Sequence, residues 1–428
     1  MSGRFTFRFQ TFLGMIALGF LCGCGGSDAP PADQAAATNP AANAPAAAPA
    51  DGAQARQTAS LDNAGSDMTA GSETATEPAS EPDSPEALLR EITVLKARPI
   101  EVANAEQAAA AANEAPAIER ERLHQIITLA TEAIAKTHSD PGKEQLFNNA
   151  VHYLTDSRVQ LALAGDAEQA QSLADDAEAL FQRDSTSFAA VQSGYKVVEL
   201  AQKTAERFGG RNVEWVQAYS QQARLFAEKF PQEEGRAAVA LISAGRLCEN
   251  VGLIDEARRC YGTVQDRYPE SPFSEQIAGI QRRLNLPGEV LELGGTTIDG
   301  GFISVKDFRG RAVLIVFWAS NSAQFASDLP HLQQLEAKYG TDRLTVLGVN
   351  MDTDETAVDS FLEKTGIGWR QIFFASPEQR GTRNPVAMYY GINQVPVYWL
   401  VDTEGVVVAS PLSIDQADAE IAEALEAN

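Results

Sequence analysis

Residues 312–330 read AVLIVFWASNSAQFASDLP. The first seven residues form an unbroken apolar and largely β-branched run, which predicts a strand buried on both faces, with helices on each side of the sheet. A short polar turn follows, and then a helical pattern that contains Pro330. Open α/β sheets place their functional groups at the carboxyl ends of their strands, so this turn is the first candidate site.

A second decisive stretch, residues 390–402, reads YGINQVPVYWLVD. Between the two stretches, residues 344–350 have the pattern of a strand, residues 355–364 that of a helix and residues 369–374 that of another strand. The predicted order is therefore strand, helix, strand, helix, strand, which indicates an α/β domain.

The first stretch resembles the active-site segment of TlpA/ResA-type thiol-disulfide oxidoreductases, which have a thioredoxin fold and are related to the redoxin and AhpC/TSA proteins. Their pattern is F-W-A-x-W-C-x-x-C, with a proline five residues after the second cysteine. Phe317, Trp318, Ala319 and Pro330 match this pattern, and Asn321 takes the tryptophan position. Ser322 and Phe325 stand at the two cysteine positions.

The second stretch is similar to the family segment Y-G-V-x-x-x-P-T-x-F-L-I-D, in which the proline is cis and faces the CxxC turn. Pro396 takes that position. The resemblance covers residues 286–428 and implies a thioredoxin-like domain there. In the family, the groove beside the cis-proline holds an extended segment of a partner through backbone hydrogen bonds. The equivalent groove here would be lined by Trp318, Asn321, Ser322, Val395 and Pro396.

Residues 286–428 contain no cysteine, because the four cysteines of the chain are Cys22, Cys24, Cys248 and Cys260. Disulfide exchange proceeds by attack of a thiolate and passes through a mixed disulfide. A serine hydroxyl at position 322 forms no such intermediate, and Phe325 has no thiol to resolve one. We therefore expect a degenerate family member without direct thiol–disulfide exchange or peroxide reduction at this turn, and no enzyme.

Neighbouring positions lead to the same expectation. In thioredoxin a buried acid lies two residues before the tryptophan, and Val316 takes that place here. We expect Phe325 to extend the core and Asp328 to be a solvated helix residue. Ser322 would need a nearby base to act as a hydrolytic nucleophile. The neighbouring candidate is His331, which we expect to point elsewhere.

Residues 117–284 have helical periodicity almost throughout, and an earlier helical run has Ser84 as its predicted N-cap. Residues 100–114 between them leave open a loosely packed helix or a linker, and residues 84–284 together form the predicted domain. The last hairpin matches the spacing of a tetratricopeptide repeat, in which small residues let two helices approach closely. We therefore predict an α-helical, tetratricopeptide-like repeat domain, whose concave face would hold a protein or peptide. The residues that carry this match are Leu241, Ala244, Gly245, Cys248, Ala257, Tyr261, Val264 and Pro269.

Cys248 and Cys260 lie on the two helices of that hairpin, which leaves open a structural disulfide, two buried thiols or a redox-active pair. The histidines form no cluster with cysteines or carboxylates at ligand spacing, so no metal site is predicted. The sequence also lacks a phosphate-cradling glycine loop, and we predict no cofactor.

The first 24 residues have a basic region, a short apolar core and the sequence LCGC, which looks like a bacterial lipobox. This predicts a lipoprotein signal peptide over residues 1–24, with lipid on Cys24 and a periplasm-facing protein held on an envelope membrane; a plain secretory signal is the rival interpretation. In well-studied lipoproteins an aspartate directly after the lipidated cysteine favours retention in the inner membrane. Gly25 takes that position here, which favours the outer membrane.

Residues 25–83 are rich in Ala, Pro, Ser and Asp and predict a disordered, acidic tether. The formal net charge of −24 argues against a nucleic-acid partner, since such binding draws on basic faces.

Three hypotheses for function follow. The first is a scaffold or binding module for an envelope protein or peptide. The second is a thiol-disulfide oxidoreductase by descent, which uses Cys248 and Cys260 or the cysteines of a partner. The third is a thioredoxin-like unit that only caps the helical domain.

Overall fold

The structure is a computed structural model that describes residues 83–98 and 105–426. The predicted signal peptide, the lipidation site at Cys24 and nearly all of the predicted tether lie outside the described residues. Within the described ranges, no helix has both the length and the apolarity needed to cross a membrane.

Nine helices form the first part of the described chain, and most of them pack as neighbours along the sequence. They are α1 (Pro85–Ala97), α2 (Ala105–Thr137), α3 (Glu144–Leu163), α4 (Ala167–Arg183), α5 (Phe188–Phe208), α6 (Glu214–Lys229), α7 (Glu234–Asn250), α8 (Ile254–Arg267) and α9 (Ser274–Leu284). Ser84 caps α1 as predicted, because its hydroxyl accepts a hydrogen bond from the Ala87 N–H at 3.2 Å.

The α7–α8 hairpin shows why its small residues are needed. A Cβ added to Gly245 would lie 2.7 Å from the ring of Tyr261, which is fully buried between the two helices. The glycine therefore lets an aromatic residue of one helix lie directly against the backbone of the other. The repeat type itself stays a prediction, whereas the helical character of this part of the chain is confirmed.

An α/β domain follows the helices. Its elements are β1 (Gly294–Thr296), β2 (Phe302–Ser304), β3 (Ala312–Trp318), α10 (Ala323–Tyr339), β4 (Leu344–Asn350), α11 (Glu355–Thr365), β5 (Gln371–Ile372), α12 (Pro385–Tyr389), β6 (Val397–Val401), β7 (Val407–Ala409) and α13 (Ala417–Glu426). Strands β1 and β2 form a separate hairpin. The main sheet has the order β5-β4-β3-β6-β7, with β3 parallel to β4 and antiparallel to β6.

The central strand β3 is buried along its whole length, as its apolar run predicts. Leu314, Val316 and Trp318 belong to one core cluster, which includes residues of α10, α11 and α13. The alternate side chains of β3 belong to a second cluster on the other face of the sheet. The peptide bond between Val395 and Pro396 is cis, as the resemblance implies. A helical region followed by a thioredoxin-like α/β domain is therefore confirmed.

The predicted strand over residues 369–374 is shorter than expected, because only Gln371 and Ile372 pair with β4. The next residue, Phe373, donates its backbone N–H to the Thr296 carbonyl at 2.8 Å, on the edge of β5 that faces away from β4. The β1–β2 hairpin, which no pattern indicated, lies along this outer edge of β5.

The helical region and the α/β domain meet where α9 packs on α12. A Cβ on Gly279 of α9 would lie 2.5 Å from the backbone nitrogen of Gly391. Arg282 donates a hydrogen bond to the Tyr389 carbonyl at 2.9 Å, and its guanidinium lies 4.5 Å from the centre of the Tyr389 ring. This junction supports the chain segment that leads to Val395 and cis-Pro396.

Candidate functional site

The turn after β3 faces the cis-proline loop. Ser322 is the N-cap of α10, and its hydroxyl accepts a hydrogen bond from the Phe325 N–H at 3.3 Å. The same hydroxyl donates to the carbonyl oxygen of Val395 at 3.5 Å. The residue at the first cysteine position and the residue before cis-Pro396 are therefore neighbours.

The surface of this turn is polar and uncharged. Asn321 is exposed, and Ser322, Val395 and Pro396 are half-buried, so these four predicted groove residues are accessible. Within the described part of the chain, the backbone N–H of Val395 has no hydrogen-bond partner. A free N–H beside a cis-proline can pair with the carbonyl of an extended peptide.

Trp318 does not line this groove, and that prediction is wrong. Its side chain is fully buried, and its indole Nε1–H donates to Oε1 of Gln371 at 2.8 Å. The Gln371 amide lies against Gly348 of β4, where any Cβ would collide with it. The tryptophan therefore points away from the turn and into the core, where it has a hydrogen-bond partner of its own.

Phe325 fills the second cysteine position with an aromatic core residue. It is fully buried and stacks on Trp318, with ring centroids 4.8 Å apart. Phe361 of α11 lies against both rings, 5.3 Å from Trp318 and 5.9 Å from Phe325. The interior therefore holds a three-ring cluster where the family pattern has its second sulfur atom.

Asp328 is buried, so the expectation that it would be a solvated helix residue is wrong. It is 8% exposed, and its carboxylate accepts hydrogen bonds from the Tyr398 hydroxyl at 2.7 Å and from Gln324 at 2.8 Å. Burial, together with the hydrogen bond and negative charge of Asp328, raises the pKa of Tyr398. Tyr398 pairs with Val316 in the sheet, so this carboxylate reaches toward the strand position that Val316 occupies.

Ser322 has no base beside it within the described residues. His331 lies further along α10, and its Nε2 is buried without a hydrogen-bond partner in the described structure. A hydrolytic role for Ser322 requires a base within hydrogen-bond reach, and the geometry gives it none.

Comparison with known proteins agrees with this architecture. Residues 288–410 match the AhpC/TSA family. The chain is 25% identical over 113 residues to the thiol-disulfide oxidoreductase ResA of Bacillus anthracis and 22% identical over 124 residues to that of Oceanobacillus iheyensis. These matches cover 26% and 28% of this chain and 61% of each relative.

Residues 288–410 are an AhpC/TSA-family domain. Solved structures similar to it include the thioredoxin domain of a thiol-disulfide oxidoreductase from Bacteroides vulgatus, with 25% identity and a TM-score of 0.30, covering 32% of this chain and 97% of that one. A thiol:disulfide interchange protein from a Bacteroides species has 25% identity and a TM-score of 0.29, covering 33% and 90%.

A buried polar network fixes the turn of the AhpC/TSA domain, and the sequence reasoning missed it. Ser320 donates to Asp352 from both its backbone N–H and its hydroxyl, each at 2.8 Å. Asn350 donates to the same carboxylate at 2.7 Å, and Asn384 donates to the Asn350 carbonyl at 3.1 Å. The sequence feature that could have revealed this network is the polar pair Asn350 and Asp352 at the end of a predicted strand. The network ties the turn, β4 and α12 together.

Cys248 and Cys260 lie outside the AhpC/TSA domain, in the core of the α7–α8 hairpin. Both are fully buried free thiols, so the structure contains no disulfide between them. Burial raises the pKa of each thiol to about 12, with a further contribution from Glu256 at Cys248 and from Cys248 at Cys260. Thiols with such pKa values are poor nucleophiles near neutral pH.

Proposed function

We propose that this protein is a non-catalytic binding or scaffold protein of the bacterial envelope, which holds a protein or peptide at the groove formed by Asn321, Ser322, Val395 and Pro396. One observation carries the proposal. The frame of the thioredoxin active site is retained, with Ser322 within 3.5 Å of the Val395 carbonyl beside a cis-proline, while a serine and a buried phenylalanine stand at the cysteine positions.

The chemistry of the groove suits binding better than reaction. An extended partner could pair its backbone with the Val395 N–H and place side chains on the half-buried surface of Val395 and Pro396. The neighbouring side chains of Asn321 and Gln394 are exposed and uncharged, so they supply hydrogen bonds without a titrating group. Binding of this kind needs no sulfur.

Thiol–disulfide exchange is the alternative function, and it rests on the names of the relatives. Those relatives are matched over 61% of their length, and the two free thiols within the described residues are buried in a different core. An insulin-reduction assay with the full chain distinguishes the two proposals. We expect no turnover above the uncatalysed rate, and turnover that disappears in Cys248→Ser would favour the alternative.

We also propose that the protein is anchored in the envelope through lipid on Cys24, facing the periplasm, with the outer membrane favoured. The support is the sequence LCGC after a short apolar segment. Labelling cells with a radioactive fatty acid tests the anchor, because incorporation should occur in the natural chain and be absent from Cys24→Ser.

A matched pair of variants tests the groove. Val395→Arg places a long cationic side chain in the groove, and Val290→Arg makes the same change at a residue of the α/β domain that is 52% exposed and lies outside the groove. We expect the full chain and Val290→Arg to retain the same partner from a solubilised envelope fraction, and Val395→Arg to lose it.

Retention of the partner by Val395→Arg would exclude the groove as its binding site. Absence of any partner from all three proteins would favour the third hypothesis, in which the domain serves only as a cap on the helices. The close packing of Gly279 on Gly391 is the observation that supports such a role.

A further inference from the structure

A second candidate site lies in the helical region, away from the turn of the AhpC/TSA domain. Helices α4, α5 and α6, together with Phe230 directly after α6, line an open cavity of about 810 Å³. This volume is within the range of pockets that bind a drug-sized ligand or the side chains of a short peptide. Much of its floor is apolar, and the floor residues include Ala174, Ala177, Phe181, Val198, Phe226 and Phe230.

Three phenylalanine rings form one side of the cavity. The ring centroids of Phe181 and Phe230 are 5.4 Å apart at an interplanar angle of 85°, and those of Phe226 and Phe230 are 5.0 Å apart. Such mutually packed rings hold their positions without a ligand. They therefore provide a preformed apolar surface for aliphatic or aromatic side chains.

The rim of the cavity is acidic. Asp175, Glu178 and Glu228 are its carboxylates, and Lys229 is its one cation. Lys229 is already paired with Glu178 at 2.5 Å and lies 4.7 Å from the centre of the Phe181 ring. Asp175 and Glu228 are exposed and have no cationic partner within the described residues. The unbalanced charge at the mouth of the cavity is therefore negative.

One polar group in the lining lacks a partner. Gln222 is 8% exposed, and its carboxamide has no hydrogen-bond partner among the residues that the structure describes. The other rim amides differ, since Gln171 donates to Asp175 at 2.8 Å and Gln182 donates to Glu178 at 2.7 Å. The polar atoms of the Gln222 carboxamide keep contact with solvent, so a peptide bound in the cavity can exchange its own hydrogen bonds to this amide for those of water.

We propose that this cavity binds a basic amphipathic peptide segment of another protein. Its apolar side chains would lie on the phenylalanine floor, its lysine or arginine side chains would pair with Asp175 and Glu228, and a backbone amide would form a hydrogen bond with Gln222. The combination of an apolar floor with a net acidic rim disfavours acidic peptides and polar basic peptides alike. This site is separate from the groove beside cis-Pro396 and does not depend on it.

The test uses three fluorescent peptides of roughly 12 residues, a length that can place several anchors in one pocket. One contains Lys, Leu and Phe, the second replaces Lys with Glu, and the third replaces Leu and Phe with Ser. Fluorescence anisotropy with the purified full chain in detergent measures their affinities. We expect the first peptide to bind about tenfold more tightly than either of the others, because it alone matches both floor and rim.

Two variants locate the binding. Asp175→Lys/Glu228→Lys reverses the two rim charges, and Glu91→Lys/Glu206→Lys makes the same change of net charge at exposed residues outside the cavity. We expect the first double variant to weaken binding of the basic amphipathic peptide about tenfold and the second to change it far less. Equal loss in both would mean nonspecific attraction to an acidic protein and would overturn the proposal.

Gln222→Leu tests the unpartnered amide. Because the Gln222 carboxamide bonds to solvent and to no residue that the structure describes, its loss should leave the Tm nearly unchanged while it weakens binding of the basic amphipathic peptide. Unchanged affinity in this variant would contradict the assigned role of Gln222. Tighter binding of the acidic peptide, or equal binding of all three, would overturn the proposal as a whole. Val395→Arg should not alter any of these affinities, so this result is independent of the groove.

Discussion

Phe325 stacks on Trp318 with ring centroids 4.8 Å apart, so the second cysteine position of the family pattern lies inside the core. Ser322, at the first position, is half-buried and caps α10. A thiol at position 322 and a thiol at position 325 would therefore differ in reactivity. A helix N-terminus stabilises a thiolate, whereas an apolar interior disfavours one.

We predict that a cysteine at position 322 is reactive and that one at position 325 is not. Ser322→Cys should be modified rapidly by Ellman's reagent at pH 8, and Phe325→Cys should react only when unfolded and should lose about 3 kcal/mol of stability through its cavity. The absorbance of the coloured product that the reagent releases, compared at equal concentrations of the two variants, measures the modification.

The unmodified chain is the control for this measurement. Cys248 and Cys260 are buried thiols whose pKa values are raised to about 12, so they should react only in denaturant. Rapid reaction of Phe325→Cys in the folded protein would show that the aromatic cluster opens readily. In that case the double variant Ser322→Cys/Phe325→Cys could regain exchange activity.

Sequence patterns predicted the frame of this domain because its strands are decided by local apolar runs. β3 and β4 follow from apolar runs of adjacent residues, and the cis state of Pro396 is what the family resemblance implied. Asp328 was predicted wrongly because its partner, the Tyr398 hydroxyl, is 70 residues away in the chain. Trp318 was misplaced for a similar reason, since its partner Gln371 lies 53 residues away. Long-range polar pairs leave no local periodicity, so the buried part of the site needed the structure.

The contact between Gly279 and Gly391 predicts that the helical region and the AhpC/TSA domain unfold as one unit. A Cβ on Gly279 would lie 2.5 Å from the Gly391 nitrogen and 2.8 Å from the Met388 carbonyl oxygen. Gly279→Val should therefore destabilise the junction by about 1–3 kcal/mol and split a single calorimetric transition into two.

Gly262→Val is the matched control for that substitution, because its nearest contact would be the Gln281 amide at an ordinary 3.7 Å. It should keep one transition. Two transitions in the unmodified chain would show that the junction does not couple the two parts.

The buried Lys196 of α5 predicts a specific pH dependence of stability. Its ammonium lies 2.8 Å from Glu199 and 3.2 Å from Asp156, and its side chain is 11% exposed. Burial alone would raise the pKa of Asp156 and Glu199, but the nearby ammonium groups outweigh it and lower both pKa values. The folded state therefore binds fewer protons than the unfolded state at acidic pH. The stabilisation is present above the unfolded pKa and is lost as pH falls through the lower folded values.

Lys196→Met removes the cation from this group and leaves Asp156 without its closest cationic partner, since the Lys96 ammonium lies 3.6 Å away. We expect it to lose about 1–3 kcal/mol of unfolding free energy at pH 7, and the difference from the unmodified chain to shrink as pH falls below about 4. Urea unfolding at pH 7 and at low pH measures both effects. Lys203→Met, whose side chain is 49% exposed and also pairs with Glu199, should cost less than about 0.5 kcal/mol. Equal losses in the two variants would mean that burial does not strengthen the Lys196 pairs.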